Sequence, residues 1–134
     1  MNAFIVDLDD KPGELARVTE AIAAKGIDLT GAAGATTAGH GVVVLLSNDE
    51  AGTRSALAAG GFPTREVEVV PAAIENRPGG FAVIARKLAD AGVNIAAAFA
   101  TGMSGDRITV AIATSDAAAA RAALGDAVLT GATR

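Results

Sequence analysis

The chain contains one turn-helix-strand stretch twice. Residues 9–29 read DDKPGELARVTEAIAAKGIDL and residues 75–95 read ENRPGGFAVIARKLADAGVNI. Pro12 and Pro78, Gly26 and Gly92, and Asp28 and Asn94 are each 66 positions apart. The same offset aligns Val42-Val43-Val44 with Ile108-Thr109-Val110, and Leu46 with Ile112. Self-similarity at one long period constrains the architecture before any segment is read alone. Two copies are too few for a solenoid, so the spacing predicts a duplicated small domain, residues 1–70 and residues 71–134.

Each copy reads as strand, helix, strand, strand, helix, strand. Phe4, Val6 and Leu8 share one face of a first strand. Pro12 then opens a helix with an expected buried stripe of Leu15, Val18 and Ile22, capped by Gly26. A second strand begins near Asp28 and loses definition in the Gly- and Ala-rich stretch to Ala38. Gly39-His40-Gly41 reads as a hairpin tip. Val42–Leu46 is apolar throughout, as in a strand buried on both faces. Asn48 or Asp49 is placed to cap a second helix ending near Gly60, and Arg65–Val69 is the fourth strand.

The second copy repeats this. Ala72–Ile74 is its first strand, starting after Pro71 because proline donates no ladder bond. The strands Arg65–Val69 and Ala72–Ile74 should therefore run nearly end to end. A helix follows from Pro78 to about Ala91, with Phe81, Ile84 and Leu88 as its stripe. Strands near Asn94–Ala100 and Arg107–Ala113, a helix from Asp116 to Leu124 and a last strand near Val128 complete the copy. Ile108, Val110 and Ile112 alternate cleanly, which predicts a strand buried on one side only. The expected fold class is α+β: two ferredoxin-like βαββαβ units, each a four-stranded antiparallel sheet with helices on one face. A unit of about 65 residues is marginal alone, so further packing or dimerisation is expected.

Composition narrows the function. The chain of 134 residues is 51% apolar and 19% charged, with four Phe and no Tyr or Trp. A net charge of −4 with so few aromatic rings removes the basic footprint and the stacking platforms of a nucleic-acid binder. There is no cysteine, hence no disulfide, thiolate metal site or cysteine nucleophile. No secretion signal is visible at the N-terminus, and the longest apolar run is too short to span a bilayer. A soluble cytoplasmic protein is expected, with no cofactor and no metal. His40 is the single histidine and reads as a solvated turn residue, so no zinc site or histidine triad can be assembled from one chain. Gly34 to Gly41 lacks the Lys-Ser/Thr ending of a phosphate loop and precedes a strand, so that reading is rejected. Met103-Ser104-Gly105-Asp106 reads as the second hairpin tip.

The turn before each first helix carries the chemistry. A helix start presents backbone N–H groups with no intrahelical partner, plus the positive end of the dipole. Pro is pre-organised for helix entry, and the following Gly lets a ligand carboxylate approach the backbone. Asp10, Asp28, Asn76 and Asn94 supply acceptors for an ammonium group, and are expected near the same end. A helix end contributes roughly 0.3–2 kcal/mol towards a bound anion, whereas micromolar binding needs about 8 kcal/mol. Such a ligand must be enclosed from a second side. The plain alternative is that Pro12-Gly13 and Pro78-Gly79 are tight turns, with Asp10 and Asn76 as helix caps and Asn94 as an exposed loop residue.

Asp-x-Pro-Gly, the striped helix, Gly-Ile-Asp or Gly-Val-Asn, and two further strands and a helix resemble the ACT domain, over nearly the whole chain and twice. That family consists of small ligand-binding regulatory modules, often attached to enzymes of amino-acid metabolism. Glu75-Asn76-Arg77-Pro78-Gly79 with Gly92-Val93-Asn94-Ile95-Ala96-Ala97 is similar to the serine-sensing regulatory domain of D-3-phosphoglycerate dehydrogenase. In that domain a histidine precedes Glu-Asn, where this chain has Ile74. The resemblance implies a non-catalytic sensor, as a homodimer or with a partner enzyme or regulator, holding an amino acid at an interface between ACT units. Asn76, Pro78, Gly79, Gly80, Phe81, Asn94 and Ile95 would form one site. Asp10, Pro12, Gly13, Glu14, Leu15 and Asp28 would line a second, more acidic one. The site with two asparagines is expected to bind better, because two carboxylates would repel the ligand's own. The alternatives are a ligand-independent subunit acting by protein contact, and a small carboxylate-based enzyme.

Overall fold

A computed structural model describes residues 1–130. The strands are β1 (Asn2–Asp9), β2 (Leu29–Thr37), β3 (His40–Ser47), β4 (Thr64–Glu75), β5 (Ala97–Ser104) and β6 (Arg107–Ala113). The helices are α1 (Glu14–Ala23), α2 (Glu50–Ala59), α3 (Gly80–Asp90) and α4 (Ala117–Leu124), followed by a short 3-10 turn at Gly125–Ala127. The fold is α+β, and its strand pairings are antiparallel. The chain divides into two compact units, Asn2–Glu66 and Val67–Arg134 together with Met1.

In the first unit β3 lies between β1 and β2. Phe4, Val6 and Leu8 of β1 and Val43 and Leu45 of β3 face the helices, where Val18 and Ile22 of α1 and Leu57 of α2 close the core. Val44 and Leu46 are buried on the opposite face, so β3 is covered on both sides as its unbroken apolar run predicts. In the second unit β6 lies between β4 and β5, and Ile84 and Leu88 pack on Val70, Ala72, Val110 and Ile112. Ala111 and Ala113 are buried as well. β6 is therefore not one-sided: alanine is too small to mark a buried face in an alternation pattern.

Several expectations shift. The helices begin at Glu14 and Gly80, two residues past each proline. Gly13 and Gly79 form the entry turn in the left-handed region, at φ 93° and 85°. An L side chain is strained there, so these glycines have a backbone reason to be present. Leu15 and Phe81 are not core residues: they are 57% and 40% exposed. With the start displaced along the chain, Val18 with Ile22 and Ile84 with Leu88 are the apolar part of the buried stripe, and Glu14 and Gly80 take its first position. The first hairpin turns at Ala38 and Gly39, both with positive φ, as a two-residue turn of this hand requires. His40 accordingly opens β3.

The strands expected on either side of Pro71 are one continuous strand, β4, with Pro71 inside it. Glu68 accepts from the Thr114 amide on one side, whereas the Val69 amide donates to Met1 on the other. Antiparallel alternation places the Pro71 nitrogen on the side facing away from β6. There the Pro71 carbonyl accepts from Leu129, so no bond to β6 is lost. The last expected strand is reduced to a single bridge, Ala72 to Val128.

Truncating a core position should separate sharply from truncating an exposed one. Ile22→Ala and Leu88→Ala should each cost about 2–5 kcal/mol in denaturant unfolding. Leu15→Ala and Phe81→Ala should each cost less than about 1 kcal/mol.

Candidate functional site

The first unit holds an open cleft of about 530 Å³ beneath the start of α1. Its rim is the β1–α1 turn, Asp9, Asp10 and Lys11, continued by Glu14 and Leu15 of α1. Its floor is Leu8, Gly41 and Val43, and its outer wall is Ala32 to Thr36 of β2. The register explains the space. Ala32, Gly34 and Thr36 pair with Leu45, Val43 and Gly41, so their side chains lie on the helix-facing side. Ala32 and Gly34 on this strand, with Gly41 on β3 opposite Thr36, leave unfilled volume below the helix start. The run that blurs the strand pattern in sequence is what makes the cleft.

Glu14 is the buried polar group of this site. Only 8% of the residue is exposed, and its carboxylate accepts from the Arg17 guanidinium at 3.4 and 3.2 Å. That guanidinium stands 4.3 Å from the centre of the Phe62 ring, which adds a cation–π contact. The hydrogen bond from Arg17 is the main reason the Glu14 carboxyl is held below its ordinary 4.5. The first helical bond of α1 runs from the Arg17 amide to Gly13. The amides of Glu14, Leu15 and Ala16 thus lie ahead of the helical ladder, at its positive end.

The expected second site is built differently. The Gly80 amide donates to Arg77 within the turn, so it is not free for a carboxylate. A Cβ at Gly80 would overlap the Glu75 carbonyl oxygen. The Arg77 guanidinium pairs with the Glu75 carboxylate. Ile95 packs against the second core rather than standing free. Neither Gly13 nor Gly79 is joined by a side-chain cap, so Asp10 and Asn76 do not cap these helices. The Asn76 backbone N–H donates to the Asp106 carbonyl.

Asp10 and Asp28 do not share an end. Asp10 follows Asp9, which pairs with His40 at the start of β3, whereas Asp28 precedes Leu29, which pairs with Ser47 at its finish. The eight residues of β3 hold them roughly 23 Å apart at about 3.3 Å per residue. Asn76 and Asn94 are divided in the same way along β6. At the far end Asn48 holds Asp28 by two bonds of 3.1 Å, one from its own amide and one to its side-chain oxygen. The equivalent Thr114 hydroxyl donates to the Asn94 carbonyl at 2.7 Å. The cleft brings together Asp10, Glu14 and Leu15 of the expected residues. Ala32, Gly34, Thr36 and Gly41 were the unforeseen part, and their signal was a strand-length run without large side chains. Asp49 and Asp116 cap α2 and α4. Among the described residues, no helix is long and apolar enough to cross a membrane and no acidic, Cys or His group of three or more gathers to hold a metal.

Residues 3–59 match the family model of the ACT domain. No curated protein matches the chain in sequence. Among solved structures, a protein from Bacteroides thetaiotaomicron is similar at 24% identity and a TM-score of 0.80, over 96% of this chain and 90% of that one. The ligand-free regulatory subunit of aspartate kinase from Thermus thermophilus is similar at 22% identity and a TM-score of 0.65, over 94% and 91% of the two chains. The corresponding subunit from Thermus flavus reaches 23% identity and a TM-score of 0.62, over 94% and 92%. At these identities the likeness is one of fold.

A carboxyl held below its ordinary value stabilises the folded state above the unfolded pKa, and that contribution is lost as pH falls through the folded one. Glu14 is in this position, and so is Glu66, chiefly through its bond from Arg54. Stability measured by urea unfolding should fall as pH drops below about 4.5. Glu14→Gln should flatten part of that fall while leaving the profile above pH 6 parallel to that of the native chain.

Proposed function

We propose that the chain is a regulatory protein made of two ACT units in tandem, residues 1–70 and 71–134, which senses an amino acid or a similarly small ligand in the cytoplasm. The observation that carries this reading is the cleft under α1. Its volume lies within the range of small-molecule sites, and its surroundings offer both halves of a zwitterion's needs. The amides of Glu14, Leu15 and Ala16, with Lys11, suit a carboxylate. The Asp10 and Glu14 carboxylates suit an ammonium group. Leu8, Val43 and Ala32 are left for a small aliphatic portion. The aspartate kinase subunits, whose fold is similar, support the regulatory reading. A regulator of this kind acts on a partner enzyme, as a homodimer.

The first-copy turn is the stronger candidate of the two. Among the described residues its helix-start amides have no partner, whereas the second turn consumes the Gly80 amide internally and fills the space of a side chain with the Glu75 carbonyl. For Asn76, Pro78, Gly79 and Phe81 to share a ligand with Asn94 and Ile95, the latter pair must come from another chain, because Asn76 and Asn94 stand at opposite ends of β6. The same holds for Asp28 beside Asp10, Pro12 and Gly13.

Titration calorimetry of the intact chain against the twenty amino acids tests this. One or a few should bind with micromolar to millimolar affinity. Gly34→Leu, which fills the cleft from its wall, should weaken binding at least tenfold with little change in thermal midpoint. Heats indistinguishable from dilution for every amino acid at millimolar concentration would overturn the reading.

A further inference from the structure

A buried carboxylate costs stability unless it is paired, and Glu14 is buried at the head of α1. Glu14 lines the cleft, whereas Arg17 does not. Arg17 forks across the carboxylate, with Nε 3.4 Å from one oxygen and Nη2 3.2 Å from the other. The guanidinium lies over the Phe62 ring, 4.3 Å from its centre, and that flat contact limits how far it can turn away. A carboxylate offers about four acceptor positions. The fork takes one on each oxygen and leaves the others for a donor in the cleft.

Two observations set this trio apart from ordinary helix packing. The second unit makes the corresponding turn and helix without it. At the 66-residue offset Glu14 and Arg17 become Gly80 and Val83, and residues 125–134, after α4, hold no aromatic side chain. The fold therefore does not require the trio. The two charges are also unequally wet: the Glu14 side chain is 11% exposed and that of Arg17 54%. Water screens the guanidinium more than the carboxylate, so the pair presents negative charge to the cleft.

We propose that Arg17, braced on Phe62, is a positioning residue that holds Glu14 as the ammonium-binding group of the cleft, which makes the cleft selective for ligands with a primary amine over the same ligands without one. The proposal rests on the reading of the cleft as a small-ligand site and adds what that site selects. Arg17 touches no ligand and acts through Glu14. A bond from an ammonium to a fixed carboxylate is stronger than one from a neutral hydroxyl.

Isobutylamine, as the cation, and isobutanol, as its uncharged counterpart, test this on the intact chain through the methyl chemical shifts of Leu8 and Val43. The native chain should bind the amine at least tenfold tighter than the alcohol. Glu14→Gln should lose most of that preference. Arg17→Met should lose at least threefold, and so should Arg17→Lys, which keeps the charge but neither the fork nor the flat face. In the Glu14→Gln background Arg17→Met should change nothing further, an outcome that a merely structural role for Arg17 does not give. Absent or equal binding of the two probes, full preference in Arg17→Lys, or an undiminished effect of Arg17→Met beside Glu14→Gln would overturn the proposal. If the amine is preferred while no amino acid binds, the proposal stands and the sensing of amino acids falls. If an amino acid binds while the amine is not preferred, the proposal alone falls.

Discussion

The antiparallel register of β3 against its two neighbours governs the first unit. It places the Asp9–His40 pair at one end of the strand and the Leu29–Ser47 pair at the other. From that follow the separation of Asp10 from Asp28 and the position of Gly34 and Gly41 beneath the start of α1. The register is pinned by the end of β1, where a slip of one residue would turn Leu8 out of the helix-packed core and Asp7 into it.

The order of strands and helices was legible because strongly apolar segments alternate with turn residues at matching offsets. The helix stripes were legible in their inner parts only. Leu15 and Phe81 sit at helical spacing from Val18 and Ile84, but periodicity cannot tell whether the helix has already settled onto the sheet at its first turn. That depends on the path of Pro12-Gly13, which is a left-handed glycine rather than a helical residue. Likewise Pro71 looks like a strand breaker in one dimension, whereas the direction of its missing N–H is a property of the pairing.

The cleft was harder to read, since it arises from what is absent. Large apolar residues announce a core; Ala32, Gly34 and Gly41 announce nothing until a helix start is placed over them. The polar residues at both ends of the repeat drew attention to themselves and to each other, yet they belong to opposite ends of each unit. Nearness along a motif is not nearness in space when a helix and a strand intervene.

The two entry turns have diverged in a way that is not easily reversed. At position 14 a carboxylate is accommodated and held by Arg17; at the equivalent position 80 the Glu75 carbonyl occupies the room a side chain would need. Grafting the segment around position 14 onto position 80 would place a side chain where the backbone already lies. The two turns are thus not interchangeable at this point, and whatever each does it must do by its own means.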